Sequence, residues 1–284
     1  MAKDTFFQKK ATINAGGRLI HLSSPKVMGI INLTPDSFFV DSRKQSIEAA
    51  VAQAGEMLAE GATFLDLGAY SSRPGAEDVS VQEEMDRLLP VVEAIAFEYP
   101  EAILSIDTFR AGVAEAAIKV GGHIINDISG GQLDEEMFST VARLQVPYIL
   151  MHMKGNPRTM NKIAEYEDVF AEVYDYFAEK YYRLRTLGVH DVIIDPGFGF
   201  AKKREHSYAL MSRLQDFNRL QLPILAGVSR KTMIYGLLGI TAEDALNGTT
   251  ALNTIALTKG ANILRVHDVK EAVEAVKIWE TCQS

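Results

Sequence analysis

The chain has 284 residues, 47% hydrophobic and 23% charged, with a formal net charge of −8 and a pI of about 5.3. This is the composition of a globular protein whose core needs no covalent staples, and the acidic balance argues against a general nucleic-acid binder, which carries a basic surplus. Cys282 is the single cysteine, so no internal disulfide is possible. No run approaches the ~20 apolar residues of a membrane span, and the opening MAKDTFFQKK lacks the apolar stretch of a secretory signal, so a cytoplasmic location is expected.

Residues 12–22, TINAGGRLIHL, read as two short β runs around Ala-Gly-Gly, a hairpin. A larger pattern then repeats: a helical segment ends at a glycine, a short apolar run follows, and that run stops at a polar residue. It is visible in 60–68, 120–127, 187–197 and 259–267. Eight strands are predicted near 27–32, 62–67, 102–107, 122–127, 147–152, 191–195, 223–227 and 262–267. Most are continuously apolar, as parallel strands covered on both faces are. Helices are predicted near 44–60, 80–97, 110–120, 134–145, 165–187, 204–219, 230–259 in two pieces, and 268–281. Ser80-Val-Gln-Glu83 and Asp268-Val-Lys-Glu271 read as capping boxes. Strict alternation of strand and helix implies a parallel sheet. Eight units in ~260 residues match an α/β fold of the (β/α)8 TIM barrel type, one domain over 1–284 with the hairpin in front. The competing architecture, an open doubly wound sheet, lacks a Gly-x-Gly-x-x-Gly after the first strand.

In such barrels the chemistry gathers where the strands end. Here the ends carry Asn32, Asp66, Asp107, Asn126 with Asp127, His152, Asp195, Ser229 after the seventh strand, and Arg265 with His267. One such residue is most simply a cap for the following helix; a nearly complete ring of them is not. Asp107 and Asp195 directly conclude apolar strands, so their carboxylates should enter the barrel mouth. Arg265, in a strand that should be buried, calls for an anion, the alternative being a salt bridge to a neighbouring helix. His267 follows on the same face. Lys231 opens a helix, where a cation is unfavourable to the dipole. Arg265, His267 and Lys231 therefore form a local cationic cluster in an acidic chain, near the loops that commonly hold phosphate in this fold. No Gly-x-Ser-x-Gly, His-Glu-x-x-His or Cys-x-x-Cys is present, and the histidines have no zinc spacing.

Eight segments in order, Met28–Phe38, Ser71–Gly75, Ser105–Thr108, Ile125–Ile128, Met151–Gly155, Asp195–Phe200, Ser229–Lys231 and Arg265–Asp268, resemble the motifs of dihydropteroate synthases over roughly residues 12–280. The chain departs from that pattern at Tyr70 and Ser72, where Glu and Thr are usual, in Phe38–Ser42, and at Ala201, where glycine is usual. The resemblance implies condensation of 6-hydroxymethyl-7,8-dihydropterin pyrophosphate with p-aminobenzoate, in an SN1-like step that releases pyrophosphate. It implies a pterin site of Asp107, Asn126, Ile128, Met151, Asp195, Phe200, Gly227 and Lys231. It places pyrophosphate on Asn32, Ser72, Arg265 and His267, and Mg²⁺ on Asn32 and Asp36. It places p-aminobenzoate among Ser72, Arg73, Phe200, Lys231 and Thr232. The catalytic set it implies is Asp107, Lys231, Arg265, His267 and Asp36. It further implies a homodimer, with neither nucleic acid nor membrane as partner. A pterin-dependent methyltransferase and a non-catalytic pterin-binding barrel are the competing readings.

Overall fold

In this computed structural model the described residues are 12–33, 43–70, 79–157, 160 and 163–283. The chain opens with an antiparallel hairpin, β1 (Thr12–Ala15) and β2 (Arg18–His21), as its turn chemistry predicts. Eight parallel strands follow: β3 (Lys26–Asn32), β4 (Phe64–Gly68), β5 (Ile103–Asp107), β6 (Ile124–Asp127), β7 (Tyr148–Met151), β8 (Val192–Asp195), β9 (Leu225–Ala226) and β10 (Ile263–Val266). They lie in the order β8-β7-β6-β5-β4-β3-β10-β9. The ring closes where Ile194 of β8 bridges Ile224, with the Ile194 N–H donating to the Pro223 carbonyl at 2.9 Å. The predicted barrel is therefore present, with β9 its shortest stave.

The helices are α1 (Arg43–Glu60), α2 (Val81–Glu98), α3 (Ala111–Lys119), α4 (Met137–Leu144), α5 (Val169–Thr186), α6 (Arg204–Ser212), α7 (Thr232–Leu238), α8 (Leu246–Thr258) and α9 (Val269–Cys282). The expected helix over 230–259 is indeed two pieces, because Gly239 takes the left-handed C-cap of α7 at φ 68°. The expected helix over 204–219 ends at Ser212 and continues as a 3-10 stretch, Leu214–Leu220. Of the two predicted capping boxes, that at Ser80 forms, with Ser80 and Glu83 bonding each other's backbone N–H. The one at Asp268 does not: no side-chain cap bond is made there, since the carboxylate accepts from Arg230 Nε at 2.9 Å and Nη2 at 2.7 Å. A bidentate guanidinium contact is the stronger partner. Among the described residues no helix is long and apolar enough to cross a membrane.

Side chains alternate across a strand, so each stave presents every second residue to the barrel interior. The innermost layer is apolar, one residue per strand: Met28, Phe64, Ile103, Ile124, Ile149, Ile193, Leu225 and Ile263. Ile13, Ala15 and Leu22 of the hairpin region pack into this same cluster and plug the lower end of the barrel. Asn262 Nδ2 donates to the Leu22 carbonyl at 2.9 Å, and Arg18 donates to the Glu101 and Ala102 carbonyls, tying the plug to the staves. The opposite residues of each strand join the larger core between sheet and helices. Two residues beyond the apolar layer, toward the C-terminal ends, the interior changes character.

Candidate active site

One step of two residues up each strand reaches Ile30, Asp66, Ser105, Asn126, Met151, Asp195, Gly227 and Arg265, a layer with five polar side chains; a further step reaches Asn32, Asp107 and His267. Period two thus brings onto one concave face residues that lie far apart in the chain. Arg265 is the centre of this layer. Its Nε donates to Asp66 Oδ2 at 2.6 Å and its Nη2 to Asp107 Oδ2 at 2.7 Å. The sequence leaves open whether Arg265 serves an anion or a salt bridge to a helix; the structure pairs it with two carboxylates across the interior, on β4 and β5. Burial pushes the Asp107 carboxyl up, Arg265 opposes this, and the charges of Asp66, Glu84 and Asp127 reinforce it. Asp66 also accepts from Asn126 Nδ2 at 3.0 Å.

Across the mouth, residues 195–202 form a turn whose carbonyls are held by long side chains. Lys231 Nζ donates to the Phe198 carbonyl at 2.7 Å and lies 4.8 Å from the centre of the Phe200 ring. Lys202 is buried and donates to the carbonyls of Phe200 at 3.0 Å and His152 at 3.1 Å; its Nζ also lies 2.8 Å from His152 Nδ1. Burial, then the Lys202 charge, holds the His152 imidazole well below its usual range, so the neutral ring accepts the bond. Tyr166 donates to the Ala201 carbonyl at 2.8 Å. Asp195 Oδ1 receives the Gly197 N–H at 2.7 Å. Burial raises the Asp195 carboxyl, against the pull of Lys231 and that N–H. Ala201 sits at φ 47°, a left-handed conformation that explains why glycine is the usual residue. Its methyl group is fully buried and packs in a cluster with Ile128, Met151, Met153 and Met160, which offsets the strain. Replacing Lys202 by Met should lower the free energy of unfolding by roughly 1–3 kcal/mol for each carbonyl left without a donor. Urea unfolding reads this, and an unchanged midpoint would refute the clamp.

Burial holds the Lys231 ammonium down to about 8, with Asp195 and Asp107 raising it and Arg265 lowering it further. Below that pH the group is a charged donor; above it, a neutral amine. Affinity for a ligand that needs this ammonium should therefore fall as pH rises through about 8. Calorimetric titration with a pterin between pH 6 and 9.5 tests this, and Lys231→Met should abolish the alkaline limb. A limb of the same size in Lys231→Met would assign it elsewhere.

The predicted residues are distributed as follows. Asp107, Asn126, Met151, Asp195, Gly227 and Arg265 belong to the barrel-mouth face, and Lys231 and Phe200 border it. Asp195 Oδ2 and Lys231 Nζ each lie 3.8 Å from where a Cβ on Gly227 would stand, so glycine there keeps the space between them open. Ile128 is buried with Met151. His267 follows at the end of β10; its Nδ1 lies 3.0 Å from Ser229 Oγ, which also accepts the His267 backbone N–H at 3.2 Å. With a second lone pair and its own hydrogen, the Ser229 hydroxyl can serve either tautomer of the His267 ring. Asn32, the last residue of β3, is exposed, as is Thr232 at the start of α7. Lys231 feels the charge of Arg265, but Arg265 is neutralised in place rather than left as a bare cation. Asp36, Ser72 and Arg73 lie outside the described residues. Tyr70, one of the departures, packs edge-on against Phe109 and under Arg110.

Sequence reasoning picked out Asp66 only as a polar strand end and passed over Lys202. Asp66 stands at an inward position, two residues after Phe64, and that parity was the available signal. Lys202 had none, because its partners, apart from Phe200, lie 50 residues away. Asp127, also a strand-end acid, belongs elsewhere: it accepts from Ser129 N–H, Gly131 N–H and the Tyr148 hydroxyl, and so builds the turn after β6.

With this geometry in place, comparison with known proteins places the chain. A family model for pterin binding enzymes matches residues 28–267. The chain is 46% identical over 273 residues to a dihydropteroate synthase of Escherichia coli (strain K12), covering 95% of this chain and 96% of that one. It superposes with a TM-score of 0.90 and 40% identity on a Yersinia pestis dihydropteroate synthase in complex with a sulfonamide drug, covering 96% and 99% of the two chains. It superposes with a TM-score of 0.85 and 36% identity on the Xanthomonas albilineans dihydropteroate synthase in complex with 7,8-dihydropteroate, covering 96% and 99%. Shared fold, near-complete coverage and identity of this order together show that the chain belongs to the pterin binding enzyme family.

Proposed function

We propose that this protein is a dihydropteroate synthase: it transfers a dihydropterin methyl group from pyrophosphate to the amine of p-aminobenzoate. The observation that carries this reading is the ring of acceptors at the barrel mouth, Asp107, Asn126 and Asp195, set beside Arg265 and Lys231 in a chain so similar to known synthases. The pterin's aminopyrimidine edge offers N–H donors, which suit carboxylates and an amide oxygen. Lys231 supplies a donor for the ring's acceptors. Met151, Ile128, Phe200 and Gly227 shape the apolar and open parts of the site.

The chemistry then follows from the leaving group. The C–O bond to pyrophosphate breaks as Arg265 and the His267 ring, with Asn32 and Ser72, take up its developing charge. The electron-rich pterin stabilises the methylene cation left behind, the neutral arylamine adds through nitrogen, and its proton passes to solvent. Ser72, Arg73, Phe200 and Thr232 frame the p-aminobenzoate, whose amine needs placement more than activation. Asn32 offers an amide oxygen at the mouth and Asp36 would add a carboxylate, a hard-oxygen donor set that suits Mg²⁺ completed by phosphate and water. When bound, that ion would neutralise the leaving group. The test is direct: purified protein given dihydropterin pyrophosphate and p-aminobenzoate with Mg²⁺ should form dihydropteroate and release one pyrophosphate per product. Absence of product with both substrates present would reject the reading.

The same proposal includes a homodimer through the late helices. Its support is apolar exposure: Ile255 on α8 and Ile278 on α9 are 42% and 66% exposed, with Leu237 and Leu238 of α7 also exposed. Sedimentation velocity should give a dimer for the native chain and a monomer for Ile278→Glu; a monomeric native chain would dismiss it.

A further inference from the structure

Asp66 does not fit the roles given so far. It is wholly buried on β4, in the same inward layer as Asn126 and Arg265. On the adjacent stave β5 it pairs with Ser105, two residues short of Asp107. A single oxygen of Asp66, Oδ2, accepts both the Arg265 Nε–H at 2.6 Å and the Asn126 Nδ2–H at 3.0 Å. We infer that Asp66 is a positioning residue for the pterin site, fixing which end of the Asn126 amide faces the ligand and the stance from which Arg265 works. This inference rests on the pterin reading above.

The physical argument concerns polarity. An asparagine amide has a donor end and an acceptor end of nearly equal size, and alone it can present either. A carboxylate clasped by a guanidinium can only accept, so the nitrogen of Asn126 must be the end turned to Asp66. Its oxygen is then turned away from Asp66. Position 126 thereby keeps its accepting end free of Asp66, alongside the carboxylates of Asp107 and Asp195. A ring edge that brings donors to all three, as an aminopyrimidine can, is matched by this set. The same oxygen anchors Arg265 by Nε, so the Nη2 arm on Asp107 can be given up to an incoming ligand without Arg265 losing its place.

The test is equilibrium binding of 6-hydroxymethylpterin to the full-length wild type, D66A, N126D and D66A/N126D, with thermal melts as a folding control. The wild type must bind; if it does not, the pterin reading itself fails. D66A should bind at least tenfold more weakly, because the amide can now turn and Arg265 has lost its anchor. N126D in the wild-type background keeps shape and acceptor but sets a second carboxylate against Asp66, and should also lose at least tenfold. In the D66A background the same N126D change should instead improve binding, since a carboxylate at position 126 can present nothing but acceptors. That reversal of sign is not expected of a residue that only supports the fold. If D66A does not fold, D66N/N126D replaces the double variant and should bind better than N126D alone, because an amide at position 66 can donate to the carboxylate at 126. Wild-type affinity in D66A, or an equal loss from N126D in both backgrounds, would overturn the inference.

Discussion

Arg265→Ala is expected to reduce kcat/KM for pyrophosphate release by about 100- to 1000-fold, the cost of removing one preorganised donor from developing negative charge. The structure adds a second consequence that the sequence did not suggest. Arg265 is the partner of Asp66, whose side chain is 0% exposed, and of Asp107. Deleting it leaves a buried acid without its cation, and breaking such a pair from one side typically costs about 3–5 kcal/mol. The variant should therefore be both slow and less stable, with a lower urea midpoint by circular dichroism. Arg265→Lys separates the two effects. An ammonium keeps the charge but cannot direct two N–H groups from fixed positions to Asp66 and Asp107. It should recover much of the stability and little of the turnover. Full activity in Arg265→Ala would remove it from the leaving-group site, and unchanged stability would contradict the buried pairing.

Asp195→Asn and Asp107→Asn should each weaken pterin binding by about 1.5–3 kcal/mol, the worth of a hydrogen bond to a charged group, or roughly 10- to 150-fold in Kd. Each change keeps shape, replaces one accepting oxygen with a donor and removes a charge. The two variants are predicted to differ in their pH response. The negative charge of Asp195 is the main influence holding the Lys231 ammonium up against burial. Without that charge the ammonium is lost at lower pH, so the alkaline fall in affinity should move below its native position at about 8. Asp107 acts on Lys231 more weakly, after burial, Asp195 and Arg265, so Asp107→Asn should move the limb less. Calorimetric titrations across pH 6 to 9.5 measure both quantities. Wild-type affinity in both variants would take these carboxylates out of the site, and a larger shift in Asp107→Asn would reverse the assignment of which acid supports Lys231.

Much of this protein was readable before any fold was drawn, and the reason is local. Strand–helix alternation, glycines after helices and the turn at Ala15–Gly17 are short-range properties, and they led to the hairpin, the eight parallel staves and a helix over 230–259 in two pieces. Polar residues at strand ends were visible for the same reason: a carboxylate such as Asp107 or Asp195 closing an apolar run stands out within a window of a few residues. The roles of these residues came from a resemblance carried by eight short segments rather than from their spacing.

What tertiary structure alone decided was which partner each polar group takes. Arg265 meets Asp66 and Asp107 from 199 and 158 residues away, because closing the ring brings β10 beside β3 and sets β4 and β5 across the same interior. Asp268 stands where a capping box is expected, yet Arg230, 38 residues earlier, takes its carboxylate with two bonds. Lys202 follows a turn with no mark of importance and becomes the buried clamp of that turn once β7 places His152 beside it. Hydrogen-bond partners depend on distances of about 3 Å between groups, and no periodicity along a chain specifies those. The interior parity of a strand can be counted from sequence; the angle at which eight strands meet, and hence the single oxygen on which Asn126 and Arg265 converge, is set only when the barrel closes.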